Sequence, residues 1–414
     1  MKKKICIVTG SRAEYGLFYP LLKRLECEQD FEIRIVATGM HLSPEFGLTY
    51  KEIEADGFTI GEKVELLLSS DTGTGITKSI GIGILSFAEV FERSKPDLLI
   101  VLGDRFETFS ATASAFIARI PVAHLHGGEV TEGVIDDALR HCITKMSYLH
   151  FTSAEPYRQR VIQLGESPDR VFNVGALGID TIKQTGLLSK PELEERLNFT
   201  FGKRTVLVTF HPVTLENATS EKQFGELLKA LDEFDDLKII FTHPNADTDG
   251  RVIIRLINEY VARNPGKAGS FSSLGTLKYL STVKYVDLVA GNSSSGIIET
   301  PSFQKPAVNI GDRQKGRIKA ESIIDCMPVH DDIAAAIKKA LSADFQNACM
   351  NVTNPYGDGN AAARIVDILK YELLNQIILK KGFFDLNDSM TDTNDLNNSR
   401  NTGDADAREK YINC

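Results

Sequence analysis

The stretch DLLIVLGDRFET, residues 97–108, joins a nearly continuous apolar run to a glycine turn and the start of a helical pattern. A run with so few polar residues is typical of a strand that is covered on both faces, as in a parallel sheet. Short β-branched runs alternate in the same way with helical patterns through most of the chain. This alternation predicts an α/β fold built on a parallel, doubly wound sheet.

The first half of the chain contains one series of such strands and helices. The predicted strands are Lys4–Thr9, Glu32–Ala37, Asp97–Leu102, Val122–Leu125, Leu149–Thr152 and Val171–Val174. The predicted helices are Leu17–Cys27, Ile82–Arg93, Phe106–Ala118, Asp136–Ser147 and Glu155–Leu164.

The alternation pauses between about residues 180 and 202 and then resumes as a second series. Its predicted strands are Thr205–Phe210, Lys238–Thr242, Ser270–Ser272, Asp287–Ala290 and Ala307–Ile310. Its predicted helices are Ser220–Phe234, Asp249–Arg263, Thr276–Thr282 and Gly296–Ser302. The two series predict two similar α/β domains.

We expect the first domain to comprise residues 1–180 and the second residues 181–384. The last predicted helix, Ala361–Ile378, carries the chain back towards the first domain. From residue 385 the sequence is rich in Asn, Asp, Ser and Thr and poor in large apolar residues. Such a segment cannot bury enough surface to offset the cost of ordering, so residues 385–414 are predicted to be a disordered tail without a catalytic role.

Composition narrows the class of protein. The 414 residues carry 47 Lys and Arg against 56 Asp and Glu, a net charge of −9, which argues against nucleic acid or an anionic membrane as the main partner. No apolar run approaches the roughly 18 residues of a membrane span. The six cysteines are scattered, as in a reduced, cytoplasmic protein, and no two His or Cys residues stand at the spacing of metal ligands.

Polar residues directly after strands are informative, because ligands of open α/β sheets lie beyond the carboxyl ends of the strands. The turn GSRAEYG, residues 10–16, follows the first strand, and its Arg12 offers a planar cation suited to phosphate. The turn lacks the GxGxxG pattern of dinucleotide-binding proteins. A structural turn with a surface arginine is the alternative.

Acidic and histidine side chains gather after the next central strands. Asp104 is either the N-cap of the following helix or a group that takes a proton or a sugar hydroxyl. His126 and Glu129 lie on the loop HLHGGEV, residues 124–130, and Asp136 and Asp137 begin the next helix. Such a group could transfer protons at a sugar carbon. A solvated, salt-bridged helix is the alternative for the two aspartates.

In the second half, His211 and His243 each follow a strand and precede a proline, and either could be a structural histidine. The stretch GNSSSGIIE, residues 291–299, runs from a strand into a helix. Successive backbone amides there form an anion-binding nest, unless its serines only cap the helix. Glu299 could accept two ribose hydroxyls, and the basic stretch NIGDRQKGR, residues 309–317, follows the next strand.

Seven stretches together resemble the hydrolysing UDP-N-acetylglucosamine 2-epimerases of sialic acid and related nonulosonic acid synthesis. They are GSRAEYG, ATGMHLSPEFG, GDRFET, HLHGGEVTEGVIDDALRH, GNSSSGIIE, NIGDRQKGR and NPYGDGNAA, which follow one another between about residues 3 and 375. The resemblance implies a glycosyltransferase-B-like fold, in which two Rossmann-like domains face a cleft that holds the nucleotide sugar. It implies no metal, no nicotinamide or other cofactor, and a homodimer or homotetramer.

The resemblance also implies roles for individual residues. The catalytic candidates are Asp104, His126, Glu129, Asp136, Asp137 and His211. The UDP-binding candidates are Arg12, His243, Ser293, Ser294, Gly296, Glu299, Arg313 and Arg317. Some relatives carry Glu at the position of His126, and the loop from Glu129 to Asp136 is one residue longer than in some of them. The base therefore stays open among His126, Glu129 and the aspartates.

The implied reaction converts UDP-N-acetylglucosamine to N-acetylmannosamine and UDP. UDP leaves C1 as a proton leaves C2, and water then adds to the glycal while C2 is protonated from the other face. Three alternatives remain: the same reaction on UDP-N,N'-diacetylbacillosamine for legionaminic acid, a non-hydrolysing epimerase, and a glycosyltransferase of this fold. A nucleotide-sugar-binding protein without catalysis is the alternative of a different class.

Overall fold

The structure is a computed structural model that describes residues 2–68, 72–130, 135–212, 220–244, 250–272, 274–374, 377 and 379–386. The chain forms two compact units. The first extends from the N-terminus to Thr181 and resumes at Tyr356, and the second is Ile182–Pro355. Residues 387–414, most of the predicted tail, lie outside the described residues.

The first unit is built on a sheet of seven parallel strands. They are β1 (Lys3–Thr9), β2 (Phe31–Thr38), β3 (Ile60–Val64), β4 (Leu98–Leu102), β5 (Val122–Leu125), β6 (Leu149–Thr152) and β7 (Val171–Asn173). Their order is β3-β2-β1-β4-β5-β6-β7, and the order reverses between β1 and β4 as in Rossmann-type sheets. The edge strand β3 has no predicted counterpart, because only its last residue, Val64, is buried and its residues do not form an apolar run.

Seven helices are interleaved with these strands. They are α1 (Arg12–Glu26), α2 (Tyr50–Ala55), α3 (Gly73–Ser94), α4 (Phe106–Ile117), α5 (Ile135–Met146), α6 (Glu155–Gln163) and α7 (Leu177–Gln184), which leads out of the unit. Helix α1 begins five residues before its predicted start at Leu17, because the Ser11 hydroxyl accepts a hydrogen bond from the Glu14 amide and caps the helix.

Helix α3 is the one described helix that is long and apolar enough, by length and composition alone, to cross a membrane. The sequence prediction concerned uninterrupted apolar runs and gave only Ile82–Arg93 as helical, so it did not indicate a helix of this length. One face of α3 packs in the core of the first unit through residues such as Phe87, Val90 and Phe91. This one-sided burial is what the helix layer of an α/β unit requires.

The second unit repeats the plan with six parallel strands. They are β8 (Arg204–Thr209), β9 (Leu237–Thr242), β10 (Ala268–Phe271), β11 (Leu288–Gly291), β12 (Ala307–Ile310) and β13 (Ile323–Cys326). Their order is β10-β9-β8-β11-β12-β13, so the reversal falls between β8 and β11. The prediction of two Rossmann-like, doubly wound α/β domains is confirmed.

The helices of the second unit include several that the sequence analysis missed. The described helices are α8 (Lys190–Leu197), α9 (Ser220–Asp232), α10 (Gly250–Arg263), α11 (Gly275–Tyr285), α12 (Ser294–Ile298), α13 (His330–Ala340) and α14 (Ala343–Cys349). Helix α8 lies inside the predicted pause and begins with a capping box formed by Ser189 and Glu192. Asp249, the predicted start of α10, lies outside the described residues.

The chain returns to the first unit through α15 (Ala361–Leu374). The Asp180 carboxylate accepts hydrogen bonds from the amides of Ala361 and Ala362, at 3.0 and 2.9 Å, and so satisfies free donors at the start of the helix. Ile365 and Leu369 join the same apolar core as α1. The structure therefore groups the residues from Tyr356 onward with the first unit. The sequence predicted residues 181–384 as the second domain, with only the last helix returning towards the first.

Candidate active site

The turns after β1 and β4 flank the reversal in strand order of the first unit, where open α/β sheets bind ligands. Asp104 follows β4 and forms an ion pair with Arg140 of α5. Arg140 also lies 3.6 Å from the Asp137 carboxylate, one turn earlier on the same helix. The structure therefore brings the polar end of α5 to the strand end that carries Asp104.

Asp104 does not cap the following helix. Arg105 occupies the N-cap position of α4, so the capping alternative for Asp104 is wrong. Burial raises the pKa of the Asp104 carboxyl above its ordinary value, Arg140 opposes this shift, and the charges of Asp136 and Glu129 add to it. A carboxyl that is half-buried among other acids and held by one arginine is the kind of group that exchanges protons during catalysis.

His126 and Glu129 form a second pair on the loop after β5. The Nδ1 atom of His126 lies 3.1 Å from Glu129 Oε1, and the same oxygen accepts a hydrogen bond of 2.8 Å from the Ser153 hydroxyl. His126 adopts a left-handed backbone conformation, with φ of 63°. Its Nε2 atom is buried and has no hydrogen-bond partner among the described residues. Glu129 thus orients the ring and leaves Nε2 available for a ligand.

The aspartates at the start of α5 are half-buried. Asp137 Oδ2 lies 3.6 Å from the Nε2 atom of His141, whose pKa is lowered by burial, so that this histidine is neutral at physiological pH. Asp136 influences Asp104 through its charge. Residues 131–134, which precede this helix, lie outside the described residues.

Two groups that hold the Asp104 turn and its neighbours in place were not predicted from the sequence. His124 lies fully buried in β5, with Nε2 2.7 Å from the Gly103 carbonyl and Nδ1 3.1 Å from the Thr144 hydroxyl. Burial lowers the pKa of His124 to about 3, so the neutral ring donates to Gly103 and accepts from Thr144. His124 therefore links the Asp104 turn to α5.

The second overlooked group is a buried cluster of Glu14, Arg105 and Glu107. Glu14 Oε2 accepts a 2.6 Å hydrogen bond from the Gly10 amide, and Arg105 donates to Glu107 Oε1 at 2.7 Å. Burial raises the pKa of Glu14 to about 7, although the positive charge of Arg105 opposes the shift. The cluster fixes the turns after β1 and β4. Arg12, on the same turn, is exposed, and its Nε atom donates to Glu52 at 2.9 Å.

In the second unit the reversal of strand order lies at Gly291, the last residue of β11. Its φ is 136°, and an added Cβ would overlap the Thr209 carbonyl oxygen, so only glycine fits. The next residue, Asn292, is 1% exposed. Its side chain accepts a hydrogen bond from the His211 amide at 2.7 Å and donates to the His211 carbonyl at 2.8 Å.

Asn292 also anchors the basic stretch, because its main-chain carbonyl oxygen accepts hydrogen bonds from the Arg313 side chain at 3.0 Å and from the Gln314 side chain at 2.9 Å. The structure thus joins the turn after β8, the turn after β11 and the start of the basic loop. Burial, with a smaller effect of Arg313, lowers the pKa of His211 to about 4, so its ring is neutral at physiological pH. Asn292 and Gln314 lie in the quoted stretches 291–299 and 309–317 but were not among the predicted site residues.

The remaining candidates surround this turn with distinct roles in the fold. Ser293 caps α12, as the capping alternative predicted, and Ser294 is the first helical residue. The predicted helix Gly296–Ser302 is instead the short α12 followed by a 3₁₀ turn, Thr300–Phe303. Gly296 is buried, and Arg317 is half-buried on the loop after β12.

His243 follows β9, at the end equivalent to that of His211. Its amide donates to the Phe271 carbonyl at 3.0 Å, and its Nε2 atom is buried without a partner among the described residues. Burial lowers the pKa of this ring. No group of three or more His, Cys, Asp or Glu side chains that could hold a metal ion occurs in the described part of the chain.

Comparison with known proteins places these features in a family. The family model described as UDP-N-acetylglucosamine 2-epimerase matches residues 23–370. The chain is 43% identical to a GDP/UDP-N,N'-diacetylbacillosamine 2-epimerase (hydrolyzing) of Campylobacter jejuni, across 93% of this chain and 100% of the relative. It is 38% identical to polysialic acid biosynthesis protein P7 of Escherichia coli, across 94% and 99% of the two chains.

A third relative is a UDP-N,N'-diacetylbacillosamine 2-epimerase (hydrolyzing) of Legionella pneumophila, 37% identical across 92% of this chain and 99% of the relative. The fold matches the crystal structure of the Neisseria meningitidis UDP-GlcNAc 2-epimerase bound to UDP-GlcNAc, with a TM-score of 0.75 and 18% identity across 89% of this chain and 100% of that one. The chain therefore belongs to the UDP-N-acetylglucosamine 2-epimerase family, and its sequence groups it with the hydrolysing UDP-sugar 2-epimerases.

Proposed function

We propose that this UDP-sugar 2-epimerase hydrolyses UDP-N,N'-diacetylbacillosamine, inverting C2 and releasing UDP and the free 2-epimeric sugar. The environment of Asp104 is the observation that best supports this proposal. It is a half-buried carboxyl after the end of a central strand, paired with Arg140 and surrounded by the charges of further acids. Such a group can take a proton from carbon or return one to it.

The reaction needs one group to remove the C2 proton and another to deliver a proton to the opposite face. We assign one transfer to Asp104 and the other to His126. Because the His126 Nδ1 atom faces the Glu129 carboxylate, Nδ1 carries the hydrogen and Nε2 is the basic nitrogen. Asp136 and Asp137 tune these groups through their charges and through Arg140. Each positioned acid or base contributes on the order of 10²–10⁴-fold to the rate.

The second unit supplies the groups that bind UDP in this proposal. The amides at Ser293 and Ser294 and the side chains of Arg313 and Arg317 stabilise the diphosphate as it leaves, which is electrostatic catalysis. Arg12, in the first unit, stays a candidate for binding phosphate, and such binding requires it to release Glu52, a small cost for an exposed pair. Neutral His211 donates a hydrogen bond to a phosphate oxygen, and Glu299 accepts the ribose hydroxyls.

The names of the similar proteins support diacetylbacillosamine as the sugar of the substrate. Two of them, at 43% and 37% identity, bear names that specify diacetylbacillosamine. The second candidate is UDP-N-acetylglucosamine, which would give N-acetylmannosamine for sialic acid. It is favoured by the polysialic acid protein at 38% identity.

The test is a direct comparison of the two UDP-sugars. The purified chain is incubated with each, free UDP is measured by anion-exchange chromatography, and the released sugar is identified by NMR. We expect UDP release from both, with kcat/KM at least 10-fold higher for the diacetylbacillosamine derivative. A preference for UDP-N-acetylglucosamine would select the second candidate, and an epimer that remains linked to UDP would refute hydrolysis. Asp104→Asn serves as the inactive control.

A further inference from the structure

Three polar side chains of the second unit form a hydrogen-bonded chain, of which the proposed function uses only the last, Glu299. The Tyr279 hydroxyl, on α11, lies 2.5 Å from the Ser295 hydroxyl. The Ser295 hydroxyl in turn donates to Glu299 Oε2, four residues further on. Among the described residues, Ser295 is the only hydrogen-bond donor to the Glu299 carboxylate. The position of this carboxylate therefore depends on a tyrosine of another helix.

The direction of the chain follows from its chemistry. Burial, and then the charge of Glu299, raises the pKa of Tyr279 far above its ordinary value, so the phenol keeps its proton and donates it to Ser295. The Ser295 hydroxyl has a single hydrogen, and it donates that hydrogen bond to the Glu299 carboxylate. Burial raises the pKa of Glu299, and the bond from Ser295 opposes that shift by favouring the ionised form. With Oε2 occupied by Ser295, the other carboxylate oxygen faces no donor among the described residues.

A fixed carboxylate is what recognition of a vicinal diol requires, because an ionised acid accepts strong hydrogen bonds and donates none. The element that carries Glu299 is too short to fix it alone, since α12 has five residues and Glu299 is its C-cap. The Tyr279 ring packs against the apolar cluster of the second unit, so its hydroxyl is held in place.

We propose that Tyr279 is a positioning residue that acts through Ser295 to hold Glu299 as the acceptor of the nucleotide's ribose hydroxyls, and so sets the preference for a ribonucleotide over a 2'-deoxyribonucleotide. This inference rests on the proposed binding of UDP at the turn after β11. It adds a residue whose effect depends on the sugar of the nucleotide.

The variant Tyr279→Phe removes the hydroxyl and retains the ring. The matched control is Tyr285→Phe on the same helix, which loses a 3.1 Å hydrogen bond to the Leu188 carbonyl. Calorimetric titration with UDP and with 2'-deoxy-UDP gives the two affinities for each protein, and circular dichroism confirms the fold. We expect Tyr279→Phe to weaken UDP about 5–10-fold, the effect of one lost hydrogen bond, and 2'-deoxy-UDP less than about 2-fold. Tyr285→Phe should change neither affinity.

A double-mutant cycle shows whether the effect passes through the carboxylate. Ser295→Ala should reproduce the Tyr279→Phe pattern, and in a Glu299→Ala background Tyr279→Phe should have no further effect on UDP binding. Equal losses for the two nucleotides would indicate a merely structural tyrosine and overturn the inference. Unchanged UDP affinity in Tyr279→Phe would overturn it as well. Failure of the unaltered chain to bind UDP or to release it from UDP-sugars would instead refute the proposed function.

Discussion

Replacing Asn292 by alanine tests how the turn after β11 is held in place. The side chain is buried and makes two hydrogen bonds to the His211 backbone, of 2.7 and 2.8 Å, although the two residues lie 81 positions apart in sequence. Truncation removes both bonds and leaves the N–H and C=O of the half-buried His211 without these partners. A hydrogen bond contributes about 0.5–1.5 kcal/mol and an unsatisfied buried group costs about 1–3 kcal/mol. We therefore expect a loss of about 2–4 kcal/mol of unfolding free energy.

Urea unfolding followed by far-UV circular dichroism measures this loss, because the chain contains no tryptophan for fluorescence. With an m-value of about 2 kcal/mol per M, the midpoint of the second unit should fall by about 1–2 M. UDP affinity should fall as well, since loss of the side-chain bonds releases the turn whose main-chain carbonyl, at position 292, anchors Arg313 and Gln314.

The matched control is Asn264→Ala, which removes one hydrogen bond to the Tyr260 carbonyl at the end of α10. It should cost about 1 kcal/mol and leave UDP binding unchanged. If Asn292→Ala were no more destabilising than this control, the reasoning that assigns the turn's rigidity to Asn292 would be refuted.

Three further predictions concern single residues. Asp104→Asn should lower UDP release at least 10²-fold while the Kd for UDP, measured by calorimetry, stays within about 2-fold; near-normal turnover would remove Asp104 from the mechanism. Gly291→Ala should abolish UDP binding or folding because its Cβ overlaps the Thr209 carbonyl, whereas Gly225→Ala, on open helix surface, should be neutral or stabilising by up to about 1 kcal/mol. Glu14 binds a proton more tightly in the folded chain, with a pKa of about 7, than in the unfolded one, so it contributes stability at low pH that is lost as pH rises to about 7. Urea midpoints of Glu14→Gln should therefore rise relative to the unaltered chain between pH 5 and 8, and a constant difference would contradict the assignment.

Much of the fold follows from the sequence because both sheets are parallel and buried on both faces. The strands Val122–Leu125 and Ala307–Ile310 have the predicted bounds, since each is a short, mostly apolar stretch between turn residues. The edge strands β3 and β13 were missed because they are only partly buried. Helix α8 was missed although its capping box, Ser189 and Glu192, is a local signal that the sequence contains.

The candidate site residues also divide into those that the sequence predicts and those that it does not. Asp104 and the aspartates of α5 follow from their place at strand ends and helix starts. His124, Glu14 and Asn292 do not, because each acts through a partner that only the folded chain brings near. Within a strand or a turn, such residues look like ordinary core or capping residues. Which carboxylates meet a given arginine also depends on packing, as the pairing of Arg140 with Asp104 shows.

Isotope incorporation tests the central claim, proton exchange at C2 coupled to loss of UDP, most directly. The unaltered chain is incubated in deuterium oxide with UDP-N,N'-diacetylbacillosamine, and the released sugar is examined by NMR and mass spectrometry. We predict free UDP and a 2-epimeric sugar with one deuterium at C2. A released sugar with hydrogen retained at C2 would contradict the elimination–hydration mechanism and the roles assigned to Asp104 and His126.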